Sequence, residues 1–279
     1  MTATDDGDAL DAASLRALLP MSIDARIATL EVVDAIDSTN SELLRRRTPA
    51  DGIVVLFAER QSGGRGRHGR VWASPPGGNL YLSLARCFGH GPLARLGGLS
   101  LAVGVAATEA LRALGADAVR VKWPNERVVI DHNRMTKLGG VLIEGGLQDG
   151  RPRAVIGLGL NLRMPEGVVD VIDQPWTDLR TLLGATLPSR RIVASKVLAS
   201  LIEALDRFDA EGLAPFLPRF AALDALRDAP VTATIGGVAH AGTAAGIAGD
   251  GALRLRTDDG ELLLRAGEVG VRTQDPLRL

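Results

Sequence analysis

Residues 96–114, LGGLSLAVGVAATEALRAL, read as one long helix whose surface is apolar or small in every direction. A helix of that kind has to be covered on all sides, so the rest of the chain must supply packing layers around it. Short strand-like segments offer those layers. EVVDAI leads into the polar turn DSTN, where Ser38, Thr39 or Asn40 can cap a following helix. GIVVLFAE is β-branched and apolar, predicting a buried strand over Val54–Ala58. NLYLSLA alternates, RVKWP is stopped by Pro124, which has no N–H for a ladder, and AVIGLGLNL carries glycines where something approaches closely. Arg127 to Glu144 reads as a hairpin with DHNR at its turn and KLGGVLIEGG returning. From Ser189 to about Leu226 the pattern becomes long amphipathic helix. Beyond Pro230 it changes to short strands and glycine turns, with GDG and DDG as hairpin signals, which predicts a small β-barrel.

The chain has 279 residues, which suits one large domain plus a small one. Its 32 basic and 33 acidic residues leave no general attraction for nucleic acid, so any such attraction must be local. Cys87 is the one cysteine, which excludes an internal disulfide framework, and its apolar setting in NLYLSLARCF predicts a buried thiol. The first residues, MTATDDGDALDAAS, are acidic where a secretory leader would be basic, and no uninterrupted apolar run reaches the length of a membrane span. A cytoplasmic protein with no membrane partner is the expectation.

Against that neutral background, QSGGRGRHGR at 61–70 is an exception, with three arginines and four glycines in ten positions. Successive glycines let backbone N–H groups converge on an anion, and guanidiniums grip phosphate oxygens in pairs. So many glycines also cost entropy to fix, so the loop is expected to order around an anionic ligand. It is neither a Walker loop, lacking GK[ST], nor a dinucleotide fingerprint. A solvated surface loop and an RGG-type RNA contact are the competing readings; the missing aromatics weaken the second.

GGRGRHGR after an apolar strand, KWPNE at 122–126, KLGGVLIE at 137–144 and GLGLNL at 157–162 occur in the order and approximate spacing of the biotin protein ligases, which this chain resembles from about Glu31 onward. DSTN at 37–40 and EGLAPFLPRF at 211–220 extend the likeness. The resemblance implies an α+β fold, a mixed-sheet catalytic domain of the class II aminoacyl-tRNA synthetase and biotin ligase kind, followed by a small SH3-like β-barrel. It divides the chain into an N-terminal extension over 1–30, a catalytic domain over 31–228 and the barrel over 229–279. The implied activity is ATP-dependent conversion of biotin to biotinyl-5′-AMP, with Mg²⁺, and transfer of the biotinyl group to one lysine of a biotin carboxyl carrier protein. A lipoate or octanoate protein ligase of the same superfamily is the alternative, and a non-enzymatic RNA-binding module a remote one.

The same resemblance assigns residues. Ser38, Thr39, Asn40 and Gln61 are expected at the ureido end of biotin, where short polar groups would satisfy a buried amide; a plain helix cap is the structural alternative for the first three. Gly64, Arg65, Gly66, Arg67, Trp72 and Gly159 are expected around biotin, and Gly157 is expected to leave room beside it. Arg67 also faces the α-phosphate. Lys137 is the residue expected between the carboxylate and that phosphate, acting by charge and not as a base. Lys122, Asn125, Asn161 and Trp176 are expected near the nucleotide. Glu126 stands where relatives more often have aspartate and is a possible Mg²⁺ ligand. His68 is expected to be an exposed loop residue. About 30 residues precede the likeness and show neither two clear helices nor a basic face, so DNA binding is not expected. Homodimer formation through a sheet edge is left open.

Overall fold

The structure, a computed structural model, describes residues 8–131, 134–165, 172, 174–265 and 269–273. Two short helices, α1 (Ala12–Ala17) and α2 (Met21–Asp24), precede strand β1 (Ile27–Ile36) and helix α3 (Thr39–Arg45). Strands β2 (Ile53–Gln61) and β3 (Leu80–Cys87) lead to helix α4 (Leu99–Arg112). Four strands follow: β4 (Val119–Lys122), β5 (Glu126–Asp131), β6 (Arg134–Gln148) and β7 (Arg151–Leu160). Helices α5 (Leu179–Leu183), α6 (Arg190–Glu211) and α7 (Leu217–Leu223) complete the larger part. The C-terminal strands are β8 (Pro230–Ile235), β9 (Val238–Ile247), β10 (Leu253–Thr257), β11 (Gly260–Leu264) and β12 (Val269–Thr273).

Seven strands form one mixed sheet in the order β1-β2-β3-β7-β6-β5-β4, parallel between β1 and β2 and antiparallel elsewhere. Along β2, Val55 and Phe57 enter the main core, while Val54 and Leu56 enter a second cluster with Leu43, Ala85 and Val155 under α3. Side chains alternate across a strand, so this sheet is covered on both faces. Helices α4 and α6 lie over the first face. In α4 only Ser100, Glu109 and Arg112 escape burial, as its all-round apolar surface requires. Residues 93–112 are in fact long and apolar enough to span a bilayer, which the sequence reading did not anticipate, but the α4 part of them, Leu99–Arg112, is enclosed here as a core helix. On the second face α3 lies mainly over β2, β3 and β7 and touches β6 at Leu142 and Glu144, and the rest of β6 with β5 is left for the site.

Three expectations change. The first 30 residues do hold two helices; they are short and place Leu15, Leu19 and Ile23 in the main core. The helical stretch from Ser189 is not continuous: α6 ends at Gly212, whose φ of 69° is accessible to glycine, and α7 restarts after a 3-10 turn at Ala214–Phe216. Strand β2 continues through Gln61, three residues past the predicted strand. His132 and Asn133 of the expected DHNR turn lie outside the described residues.

The C-terminal strands form a separate antiparallel sheet, in the order β11-β10-β9-β8-β12, with turns at the GDG and DDG signals. Val231, Ala233, Ala244, Leu253, Leu255 and Leu264 belong to the same apolar cluster as the large sheet. A polar tie joins the two parts as well: Trp123, buried between Lys122 and Pro124, donates its indole N–H to the Gly251 carbonyl at 3.0 Å.

Candidate functional site

The polar end of the site is built at the start of α3. Ser38 caps that helix, its hydroxyl accepting from the Ser41 N–H at 3.4 Å. Thr39 and Asn40 then point down onto the sheet and are buried. Gln61, at the end of β2, accepts from the Thr39 backbone N–H at 2.9 Å and donates to Ser74 at 3.1 Å. Ser83 of β3 lies 2.7 Å from both Thr39 Oγ1 and Asn40 Oδ1; with one proton it can donate to only one of them at a time. Asn40 donates to Glu144 at 2.9 Å. The structure thus brings Thr39, Asn40 and Gln61 together, and adds Ser83 and Glu144, which the sequence reading did not assign. Gly157 makes room for this network, since a Cβ there would overlap the Asn40 amide.

The basic loop closes on itself as a small hairpin. Trp72 N–H donates to the Gly64 carbonyl at 2.9 Å, Gly66 N–H to the Arg70 carbonyl at 2.7 Å, and Arg65 bridges Val71. His68 sits exposed at the tip with φ 55°. Gly64 is needed for the close return: a Cβ there would lie 2.7 Å from the Trp72 carbonyl. The Arg65 guanidinium contacts Glu144 at 3.1 Å and Ser41 at 3.2 Å, so it clamps the loop to β6 and α3. Arg67 turns inward instead. Its Nη2 is buried with no hydrogen-bond partner, and burial pulls its pKa below the usual arginine range, with Glu126 opposing the change. Trp72 lies against Gly159, where a Cβ would come within 2.5 Å of the ring, and its indole N–H also lacks a partner. Lys137 Nζ is 5.4 Å from the ring centroid, within cation–π range.

Beyond Trp72, over β6 and β5, cations gather around one carboxylate. Glu126 is 2.7 Å from Lys137 and 3.0 Å from Lys122, with all three side chains no more than 17% exposed. Burial works against charge on Glu126 and Lys137. For Glu126 two ammoniums outweigh it and hold the carboxyl at about 2. For Lys137, with one carboxylate to help and Arg127 and Lys122 beside it, burial prevails and its pKa falls. Arg127 is wholly buried, none of its guanidinium nitrogens has a partner among the described residues, and burial pushes its pKa down to about 9 despite Glu126. The sequence reading missed Arg127.

The remaining residues expected near the nucleotide frame this cluster. Asn125 donates to the Val141 carbonyl at 2.6 Å and accepts from its N–H at 2.9 Å, fixing β5 against β6. Asn161 is buried and donates to the Thr177 carbonyl at 3.1 Å; its side chain anchors the segment around Trp176. That segment pairs with β6, as Lys137 N–H donates to the Pro175 carbonyl and Thr177 N–H to the Lys137 carbonyl, both at 3.0 Å. Trp176 is therefore half-buried directly beside Lys137. Glu126 supplies the cluster's carboxylate, and no group of three or more histidine, cysteine, aspartate or glutamate side chains forms among the described residues. The protein alone does not make a Mg²⁺ cage here; a Mg²⁺ ion fits only as one that arrives with phosphate oxygens and keeps most of its ligands from them and from water.

Comparison with known proteins places this architecture. Residues 32–161 match the model of the biotin/lipoate A/B protein ligase family, and residues 229–272 match the biotin protein ligase C-terminal domain. The chain is 42% identical over 245 residues to the bifunctional ligase/repressor BirA of Salmonella typhimurium, covering 88% of this chain and 74% of that protein. It is 31% identical over 242 residues to the biotin–[acetyl-CoA-carboxylase] ligase of Paracoccus denitrificans, covering 84% of this chain and 96% of that one. Among solved structures, the biotin protein ligase from Aquifex aeolicus in complex with biotin and ATP superposes with a TM-score of 0.73 at 26% identity, over 89% of this chain and all of that one.

Proposed function

The chain belongs to the biotin protein ligase family, and from that premise we propose that its site joins biotin to AMP and then to a carrier lysine. It is an ATP-dependent biotin protein ligase. In the first step a biotin carboxylate oxygen bonds to the α-phosphorus of ATP as the bond to pyrophosphate breaks. In the second, the amine of a lysine on a biotin carboxyl carrier domain attacks the acyl carbon and AMP leaves.

One observation carries the assignment of residues: a neutral polar pocket stands beside a cation cluster whose buried donors lack partners. Thr39, Asn40, Gln61 and Ser83 suit a ureido head group, which both donates and accepts. Lys122 and Lys137 contact a single carboxylate, Glu126, and Arg67 and Arg127 lie within its electrostatic reach, so the cluster carries an excess of positive charge suited to phosphates. Lys137 neutralises the charge that develops as the α-phosphorus gains its fifth oxygen, Arg67 holds the same phosphate, and Trp176 stacks on the adenine. Glu126 would be the residue to hold a Mg²⁺ ion accompanying ATP, which would neutralise phosphate charge. The loop over 62–72 screens the acyl adenylate from water. The lipoate alternative is disfavoured because an alkyl or dithiolane tail offers neither donor nor acceptor to Thr39, Asn40, Gln61 and Ser83. We also read the C-terminal five-stranded sheet as an SH3-like barrel, the catalytic domain as 31–228, and the protein as cytoplasmic.

The test is to incubate the chain with biotin, MgATP and a biotin carboxyl carrier domain and to probe with streptavidin, with Lys137→Ala in parallel and octanoate in place of biotin. Biotinylation by the wild type, absent in Lys137→Ala and unmatched by octanoate transfer, is the expected outcome. Octanoate transfer without biotinylation would overturn the reading.

A further inference from the structure

We propose that Arg127 is a phosphate-binding residue of this site, donating to the terminal oxygens of the bound triphosphate and to pyrophosphate before it leaves. The inference rests on the ligase reading above and goes beyond it by adding a residue that neither the sequence motifs nor the comparisons assign.

Four arginines are buried among the described residues, and three of them have side-chain partners, although Nη2 of Arg190 is also unpaired. Arg86 bonds Asp206 and Asp209, Arg153 bonds Thr48 and the carbonyls of Leu43 and Arg46, and Arg190 bonds Glu59 and the Asn79 carbonyl. Arg127 is the most enclosed of the four, and its Nε, Nη1 and Nη2 all lack a partner among the described residues. A guanidinium retained only for packing would be costly to keep in that condition, because a buried unpaired charge is among the least favourable groups in a protein. Buried, unpaired guanidinium donors beside a cation cluster suit an anionic ligand.

Two glycines shape its surroundings. On α4, the position a side chain of Gly104 would occupy is 3.9 Å from Arg127 Nη1. On β6, the corresponding position at Gly140 is 3.9 Å from Arg127 Nη2, 3.7 Å from Lys137 Cε and 3.3 Å from the Trp72 ring. Arg127, Lys137 and Trp72 therefore border one small hollow. Its place in the sheet indicates which phosphates it serves. The polar pocket lies over β3 and β7, Lys137 is on β6, and Arg127 and Lys122 follow on β5 and β4, so a chain of phosphates that starts at Lys137 runs outward past Arg127. Donors fixed before the reaction and aimed at the leaving oxygens favour departure of pyrophosphate.

Calorimetric titration of the full chain with MgATP, pyrophosphate, AMP and biotin, for wild type, Arg127→Leu and Arg127→Lys, tests this. Arg127→Leu should lose about tenfold or more in affinity for MgATP and pyrophosphate, keep AMP and biotin within about twofold, and melt no lower than wild type without ligand, since an apolar side chain replaces an unpaired charge. Arg127→Lys, which keeps the charge and loses the fork, should fall between the two. Pyrophosphate binding by Arg127→Leu equal to wild type would overturn the proposal, as would equal losses for AMP and pyrophosphate together with a lower ligand-free melting point. A wild type that binds neither biotin nor MgATP would instead overturn the ligase reading itself.

Discussion

Replacing Glu126 by glutamine removes the carboxylate from a group of four cations while keeping its shape. In the folded chain that carboxylate lies 2.7 Å from Lys137 and 3.0 Å from Lys122, and it titrates at about 2 where 4.5 is ordinary. At about 1.4 kcal/mol for each tenfold change in proton affinity, the charged form is favoured by about 3 kcal/mol, even after the cost of burial. Breaking a buried pair by removing one partner costs about 3–5 kcal/mol, which agrees with that figure. For a chain of this size each kcal/mol moves the melting point by roughly 2–4 °C, so Glu126→Gln should melt about 6–12 °C lower at neutral pH and low salt. Scanning calorimetry would read this directly. Pyrophosphate should raise the melting point of the variant more than that of wild type, because it meets ammoniums that no carboxylate already neutralises. The contribution of a depressed carboxyl is complete above its unfolded pKa near 4.5 and disappears as pH falls toward 2, so the gap between the proteins should close in acid. A variant melting within about 2 °C of wild type, with an unchanged response to pyrophosphate, would show that Glu126 does not hold this cluster together.

Four other outcomes are expected. Burial pushes the Asp224 carboxyl up to about 6, so its ionised form opposes folding at neutral pH and that opposition is relieved as pH falls from 6 toward 3.8. Asp224→Asn should therefore be more stable than wild type by about 1–3 kcal/mol at pH 8 and lose the advantage near pH 4; a pH-independent difference in melting point would refute this. Trp123→Phe removes the hydrogen bond to Gly251 at the junction of the two sheets, costing about 1–3 kcal/mol, and because Lys122 and Asn125 flank it, the KM for ATP should rise with little change for biotin. Equal rises in steady-state kinetics would count against that coupling. Gly157→Ala drives a methyl group into Asn40, which Glu144 and Ser83 hold in place, so titration should show a larger loss for biotin than for ATP, with about 1–3 kcal/mol of stability lost to overpacking. Arg67→Ala should release free biotinyl-AMP faster while weakening biotin binding less; leakage equal to wild type would argue against the loop's screening role.

Parts of this molecule are written locally and parts are not. Helix α4 was legible because small apolar residues on every side leave it no place except between layers, and β2 because its β-branched run suits a strand covered on both faces. The N-terminal helices were missed because six and four residues do not establish a period; Leu15, Leu19 and Ile23 make sense only once the main core receives them. The break between α6 and α7 was missed because apolar periodicity continues across Gly212. At the site, the glycines of GLGLNL announced a close approach, but only the tertiary structure names Asn40 and Trp72 as the groups that approach.

Glu126 and Arg127 mark the limit of local reading most clearly. Strand alternation sends neighbouring side chains to opposite faces: the Arg127 guanidinium reaches Gly104 of α4, while Glu126 is enclosed between Lys122 and Lys137. From the motif alone Glu126 suggested a metal ligand; in the folded chain it is bonded to two lysines. In the proposed reading these roles follow one another. Lys122 and Lys137 cannot neutralise Glu126 and a triphosphate fully at the same time, so a nucleotide that draws the ammoniums to its own oxygens leaves the carboxylate uncompensated. A carboxylate freed beside phosphates is the kind of oxygen donor that Mg²⁺ accepts. The ion pairs seen here hold the two lysines on β4 and β6 in place around Glu126, which in that reading would be the residue to hold a Mg²⁺ ion accompanying the nucleotide.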